Sequence, residues 1–320
     1  MNVTIEEIAT RLKKAKRVTV FTHMRPDGDA FGSLLALTYA LRKLGIEAEA
    51  CNESDFPSNL RFLDGVEEIK KTPALDADAF VALDCADENR LGGLAEKFRL
   101  FGRKKPTFNI DHHISNTRFA GYNYLRICSA NCMNVALLIE AMGVPFDKKI
   151  AEYLMLGLIT DSGNFSHDDV TEETFLLAAK LTKAGADVGK LNTELFKNQP
   201  KQRARFYAET MSRMRYALED KFAFIVLTYD QMKERGIDLG MTEGFVDFPL
   251  SVSGVEVGAS LLEIKKGQYK ISLRSKNYAD VNGVAATFGG GGHVRAAGCM
   301  LFGNLEDVID RLTYAVYQHI

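Results

Sequence analysis

Three apolar runs in this 320-residue chain end directly in carboxylate and imidazole. Val18-Thr19-Val20-Phe21-Thr22 leads into His23-Met24-Arg25-Pro26-Asp27-Gly28-Asp29, Ala79-Phe80-Val81-Ala82-Leu83 into Asp84, and Phe108-Asn109-Ile110 into Asp111-His112-His113. A fourth acid, Asp161, follows another apolar stretch in Thr160-Asp161-Ser162-Gly163. Open α/β sheets hold ligands beyond the carboxyl ends of their strands, where such residues would meet. Together they supply enough hard ligands for two divalent cations.

Each segment also has a plainer reading. Pro26-Asp27-Gly28-Asp29 is a common turn composition, and Asp29 stands where an N-cap belongs, just before Ala30-Phe31-Gly32-Ser33-Leu34. Asp84 or Asp161 alone would pass as a cap. The combination is what points to chemistry, because three of the six histidines fall in the His23 and Asp111-His112-His113 segments. Asp27, Asp29, Asp84 and Asp161 carry four negative charges, which neutralise two divalent cations; clustered without metal, they would force some carboxyl pKa values upward. Oxygen and imidazole donors without thiolate favour manganese or magnesium in use, and manganese is the expected ion. Two such cations a few Å apart lower the pKa of a bridging water from about 15.7 to about 7, worth roughly 12 kcal/mol in forming hydroxide at neutral pH. They also clamp both oxygens of an in-line displacement at phosphorus. The expected reaction is metal-dependent hydrolysis of a phosphate ester or anhydride.

The elements that must position these residues show as an alternation. Strands are expected at about 17–23, 47–52, 79–84 and 107–112, with a helix at about 29–44 ending at Gly45 and helical patterns between the others. That pattern implies an α/β fold with a mostly parallel sheet and helices on both faces. Further helices are expected at 130–143, 148–160 and 171–184, and at about 201–217 after Pro200 in a first helical position. Ile150, Leu154 and Leu158 recur every four residues, so Asp161 belongs at a helix end. From 221 the texture changes: Phe222–Leu227, Val255–Ile264 and Tyr269–Arg274 read as strands, the last two joined by the hairpin Lys265-Lys266-Gly267-Gln268. A smaller α/β domain, closed by a helix at 305–318, is expected there.

Composition narrows the setting. The length favours two domains, and 46% hydrophobic with 26% charged residues is ordinary for a globular chain. No apolar run approaches the roughly 20 residues of a membrane span, and residues 1–17 read as an amphipathic helix rather than a signal peptide, so a cytoplasmic protein is expected. Five scattered cysteines form no disulfide framework. Cys128 and Cys132 lack the second pair that a zinc site needs and read as small buried residues. A net charge of -2 offers no field for tracking long nucleic acid but leaves room for a small anionic substrate.

Phe288-Gly289-Gly290-Gly291-Gly292-His293-Val294-Arg295 follows a helix-like segment, Val281 to Thr287. Four glycines let main-chain amides approach an anion, although a tightly packed connection is the commoner use of such a run. No Gly-Lys-Ser/Thr follows, so it is not a Walker loop. His293 and Arg295 favour a phosphate or base site, and Arg274, at a strand end before Ser275 and Lys276, can hold a terminal phosphate bidentately.

The set His23-x-x-x-Asp27-x-Asp29, Asp84, Asp111-His112-His113, Asp161-Ser162-Gly163 and Gly289-Gly290-Gly291-Gly292-His293 resembles the DHH phosphoesterase family with a C-terminal DHHA1 domain. The resemblance spans nearly the whole chain, with motifs of both domains in order, and is nearest to the short members that act as oligoribonucleases and 3'-phosphoadenosine 5'-phosphate phosphatases. It implies a DHH catalytic domain at 1–187, a helical linker at 188–218, a DHHA1 substrate-binding domain at 219–320, and a cleft between the domains. It further implies two manganese ions, one on His23, Asp27 and Asp84, the other on Asp29, Asp84, His112 and Asp161, with Asp84 bridging. His113 would contact the scissile phosphate and Asp111 would orient His112. Arg274, Ser275, Asn282 and the Gly290, Gly291, Gly292 and His293 loop would hold the distal phosphate or nucleotide. Two positions depart from the family: Met133 stands where relatives often carry Glu, and Ser162 where they often carry Thr.

The function so implied is manganese-dependent hydrolysis of short oligoribonucleotides to mononucleotides, with dephosphorylation of 3'-phosphoadenosine 5'-phosphate. The expected partners are those substrates, without membrane or long nucleic acid, and a homodimer is left open. Phosphodiesterase action on cyclic or linear dinucleotides is the alternative within the class. An inorganic pyrophosphatase is disfavoured by the glycine-histidine loop, and a large processive exonuclease by length and mild acidity. A non-enzymatic nucleotide-binding regulator is disfavoured by the complete ligand set, since a lapsed enzyme would be expected to have lost a carboxylate.

Overall fold

Strands buried on both faces belong at the centre of a covered sheet, and the ligand-bearing segments are built on such strands. A computed structural model describes residues 1–56, 60–74 and 76–320. The chain divides into two compact units, Met1–Asn198 and Gln199–Ile320.

In the first unit, β1 (Arg17–Thr22), β2 (Glu47–Cys51), β3 (Ala79–Leu83), β4 (Thr107–Asp111) and β5 (Tyr122–Leu125) form one sheet in the order β2-β1-β3-β4-β5. All four pairings are parallel, so the strand ends that carry His23, Asp84 and His112 lie on one edge. The side chains alternate as the pleat requires. Val18, Val20, Val81, Leu83, Phe108 and Ile110 join one core cluster with α1 (Ile5–Leu12), α2 (Gly28–Lys43), α4 (Asn131–Ala141) and α5 (Lys148–Asp161). Phe21, Phe80 and Ala82 join another with Phe98 of α3 (Ala95–Gly102). The expected parallel sheet with helices on both faces is the observed one. Outside this frame, α6 (Glu172–Lys183) and α7 (Val188–Asn192) complete the unit.

The second unit holds a six-stranded sheet in the order β10-β11-β9-β8-β7-β6. Its strands are β6 (Arg215–Ala217), β7 (Phe222–Leu227), β8 (Val257–Lys265), β9 (Gln268–Ser275), β10 (Gly291–His293) and β11 (Ala296–Phe302). Only β7 and β8 pair in parallel, through α9 (Tyr229–Glu234) and α10 (Asp247–Ser251). α11 (Val281–Ala286) and α12 (Leu305–Tyr317) contribute Val281, Val284, Val308 and Leu312 to the core shared with β8, β9 and β11.

Three local expectations are corrected. The helix expected to 217 ends earlier, α8 being Lys201–Met211, because Arg215–Ala217 pairs with Phe222–Phe224 across a turn with Leu218, Glu219 and Asp220 all at positive φ. The glycine run is partly strand: Gly291–His293 pairs with Ala296–Gly298. The cap of α2 is Asp27, not Asp29, its carboxylate accepting Ala30 N at 3.0 Å. Gly28 already begins that helix, packed so tightly on Thr160 that a Cβ would lie 2.5 Å from its side chain.

Candidate metal centre

The fold brings six of the acids and imidazoles to one place. His23, Asp27 and Asp84 form one grouping and Asp29, His112 and Asp161 a second, the ligand atoms of each lying within 4.8 Å of one another. Asp84 joins them: Oδ2 lies 3.6 Å from His23 Nε2 and Oδ1 lies 3.3 Å from His112 Nε2. His112 Nε2 is also 3.5 Å from Asp161 Oδ2, and Asp161 is the last residue of α5.

The hydrogen bonds of the rings say what the space between them is for. His23 Nδ1 pairs with the Met24 carbonyl at 2.9 Å and His112 Nδ1 with the Cys128 carbonyl at 2.8 Å. Since a carbonyl only accepts, each ring donates from Nδ1 and turns Nε2 toward Asp84, the tautomer that a metal-ligating imidazole adopts. In the neutral ring an Nε2 lone pair then faces a carboxylate oxygen, which is repulsive unless a proton or cation lies between. Asp84 Oδ1 is buried and accepts no hydrogen bond. The donor set thus fits divalent cations on an orphaned buried oxygen, not merely on a count of acids.

Electrostatics agree. Burial pushes the Asp29 carboxyl up to about 7, with Asp84 adding to the shift. Burial and then Asp29 raise Asp161 well above the ordinary range. Burial acts the same way on Asp84, but the close His112 and His23 rings, 3.3 and 3.6 Å from its oxygens, outweigh it and hold Asp84 well below that range. Burial opposes charge on His112, yet Asp84, Asp161 and Asp29 lift it well above the usual imidazole value. These carboxylates and rings compete for too few protons, the signature expected of clustered ligands.

Local structure holds each ligand in place. Asp84 sits at φ 53 directly after β3, a strained conformation for a non-glycine residue, of a kind concentrated at functional sites. Its turn is fastened by Asn109, which donates to the Ala82 and Cys85 carbonyls, and by Asn116, which donates to Cys85 O at 3.3 Å and Asn109 Oδ1 at 2.8 Å. Asn52 holds the His23 carbonyl at 2.8 Å. Asp29, in the first turn of α2, accepts the amides of Asn131 and Cys132, so it caps α4, whose own N-cap Ala130 offers no side-chain acceptor. The dipole of α4 favours that carboxylate.

One expected role is corrected. Asp111 does not orient His112: its Oδ1 pairs with His113 Nδ1 at 2.8 Å, while Asn116 donates to its Oδ2 at 2.6 Å. His113 Nδ1 also lies 3.6 Å from Asp84 Oδ1. At the departing positions, Met133 is buried with Sδ near the Ser129 and Thr174 hydroxyls, and Ser162 Oγ keeps a capping role by accepting Phe165 N at 2.9 Å. Sequence reasoning missed Asn52, Asn109, Asn116 and His167, whose Nδ1 donates to the Asp161 carbonyl at 2.9 Å. A polar Asn109 inside an apolar strand was the one available signal.

In the second unit, Arg274 and Ser275 end β9, and Asn282 lies in the first turn of α11 and accepts Gly292 N at 2.9 Å. Gly290 packs so closely on β11 that a Cβ would meet Gly298 O at 2.2 Å, so this glycine serves packing, while Gly291, Gly292 and His293 are exposed. The Arg274 guanidinium is half-exposed, 3.7 Å from Asp247 Oδ1. Arg295 is committed elsewhere, to the Ala279 and Asn277 carbonyls, which corrects its expected part in a phosphate site.

A parallel sheet whose carboxyl edge carries two carboxylate-imidazole groupings around one buried acid is an α/β fold with a donor set that could hold divalent cations. The DHH family, N-terminal domain, matches residues 17–158 and the DHHA1 domain matches residues 220–318. The chain belongs to the DHH phosphoesterase family, hydrolases of phosphate ester bonds, and carries the DHHA1 domain. A Thermus thermophilus protein named bifunctional oligoribonuclease and PAP phosphatase NrnA is 32% identical over 310 residues, covering 95% of this chain and 90% of that protein. A probable manganese-dependent inorganic pyrophosphatase of Bacillus cereus is 27% identical over 194 residues, covering 57% of this chain and 60% of that protein. The crystal structure of an exopolyphosphatase-related protein from Bacteroides fragilis matches with a TM-score of 0.91 at 26% identity, covering 98% of this chain and 95% of the other. Among the described residues no helix is long and apolar enough to cross a membrane.

Proposed function

We propose that this chain is a manganese-dependent phosphoesterase that degrades short oligoribonucleotides to mononucleotides and dephosphorylates 3'-phosphoadenosine 5'-phosphate. The observation that carries the reading is Asp84, buried between two Nε2 atoms with an Oδ1 that accepts no hydrogen bond. His23, Asp27 and Asp84 would hold one cation, and Asp29, Asp84, His112 and Asp161 the other. When bound, such a pair neutralises phosphoryl charge and activates a water at neutral pH.

The chain's own groups do the rest. His113 contacts the scissile phosphate, its ring fixed by Asp111, which Asn116 holds in turn. Asn109 and Asn116 keep the strained Asp84 turn closed, so ligand geometry is set before substrate arrives. Arg274, Ser275, Asn282 and the Gly290–His293 hairpin take the distal phosphate or nucleotide. The names of the full-length relatives support the substrate class. Five free cysteines support a reducing, cytoplasmic setting.

A 5'-labelled RNA trimer and 3'-phosphoadenosine 5'-phosphate, each incubated with manganese, test this. Conversion of the trimer to mononucleotide and release of phosphate to give AMP are expected. An intact trimer would overturn the reading, and turnover confined to a cyclic or linear dinucleotide would select the alternative.

A further inference from the structure

The connection from β9 to α11, Lys276-Asn277-Tyr278-Ala279-Asp280, is fastened far more firmly than a surface link requires. From beneath, Glu256, only 3% exposed, accepts the amides of Asn277 at 2.9 Å, Tyr278 at 2.6 Å and Ala279 at 2.9 Å on Oε1, and Asn277 Nδ2 at 3.2 Å on Oε2. Its carbonyl takes Lys276 N at 2.9 Å. From the other side Arg295 donates to the Asn277 and Ala279 carbonyls. The flanks are tied to the same hairpin turn, Ser275 N to Arg295 O and Val281 N to Val294 O, both at 3.0 Å.

A carboxylate is costly to bury and is retained here by its four donors. Ala279 and Val281 fill the core, at 1% and 0% exposure, while the ring of Tyr278 between its clamped amides is 57% exposed. The construction is a pedestal whose crown is one aromatic ring. It lies in sequence between Arg274-Ser275 and Asn282, and its loop is fastened to the turn that follows His293. A rigid aromatic surface beside anion-binding groups is what single-stranded nucleotides require: every base has a π face, and stacking tolerates any sequence. A rigid ring also loses little conformational entropy on binding.

We infer that Tyr278 is the stacking platform for a nucleobase of the substrate, an assignment that rests on the second unit holding the nucleotide. Glu256 and Arg295 are the positioning residues that keep the platform rigid. Base stacking adds affinity whatever the base, so replacing the ring should weaken binding roughly tenfold.

The test uses the full chain with manganese and compares Tyr278→Ala with Tyr278→Phe. The substrates are 3'-phosphoadenosine 5'-phosphate and its abasic counterpart, a ribose 3,5-bisphosphate. The natural chain should favour the base-bearing compound through KM, Tyr278→Ala should lose that preference about tenfold, and Tyr278→Phe should keep it. Equal loss on both compounds, or an undiminished preference in Tyr278→Ala, would overturn the platform. Calorimetric binding of AMP against ribose 5-phosphate separates this from the functional reading. Without any turnover the function fails, while AMP binding lost only in Tyr278→Ala would still support the platform.

Discussion

Asp111 gives its carboxylate to His113 and not to the adjacent His112: Oδ1 meets His113 Nδ1 at 2.8 Å, and His112 Nδ1 is held instead by the Cys128 carbonyl. The two neighbouring histidines therefore answer to different partners. Loss of Asp111 should disturb the ring assigned to substrate while sparing the one assigned to metal. In Asp111→Asn, kcat should fall about 10–100-fold, the usual cost of removing such a partner, with manganese affinity changed less than threefold. Loss of manganese binding in proportion to kcat would count against the division of roles.

The pH dependence has a definite sign. Asp29 titrates at about 7 in the fold, far above an ordinary aspartate, so the metal-free fold holds a proton that the unfolded chain releases near 4. Its contribution to the stability of metal-free protein is complete below about 4 and is lost as pH rises to about 7. Asp161 and His112 shift the same way, while Asp84 shifts oppositely: its contribution is present above the ordinary aspartate range and is lost as pH falls toward its depressed pKa. A cation must displace those protons, so it binds more tightly as pH rises. The melting-temperature gain from a fixed manganese concentration should be larger at pH 8 than at pH 5.5, and equal gains would refute the linkage.

Gly157 is where α5 lets Asp29 and Cys132 approach. A Cβ there would lie 2.2 Å from Cys132 Sγ and 2.5 Å from Asp29 Oδ1. Gly157→Ala should cost about 1–3 kcal/mol, as overpacking of a filled core does, and weaken manganese binding. Denaturant melts with and without manganese check this; an unchanged midpoint would show that the helices can part freely.

Arg274, offered as the anchor of a distal phosphate, should matter only for substrates that have one. Arg274→Ala should reduce dinucleotide turnover at least tenfold more than hydrolysis of a small aryl phosphodiester. Parallel losses on both substrates would remove it from that role.

Much of this was readable in advance, for physical reasons. β1, β3 and β4 are buried on both faces and mostly apolar, so their runs stood out, and the acids at their ends followed. Asp161 was placed at a helix end by four-residue spacing, and the Lys265–Gln268 hairpin by its glycine. β5 is an edge strand of mixed burial with no clean alternation, and β10 is mostly glycine, which has no strand preference until β11 pairs with it. The Asn52, Asn109 and Asn116 bonds depend on distant backbone carbonyls brought near only by the finished sheet.

Asp84 belongs to the first grouping and reaches the second through its Oδ1, 3.3 Å from His112 Nε2 and accepting no hydrogen bond. Equilibrium dialysis of manganese against the natural chain and Asp84→Ala, with circular dichroism confirming the fold, tests it most directly. Two ions per chain, falling below one in Asp84→Ala, is the expected result; one ion or none in the natural chain, or two retained without Asp84, would contradict a paired-cation centre.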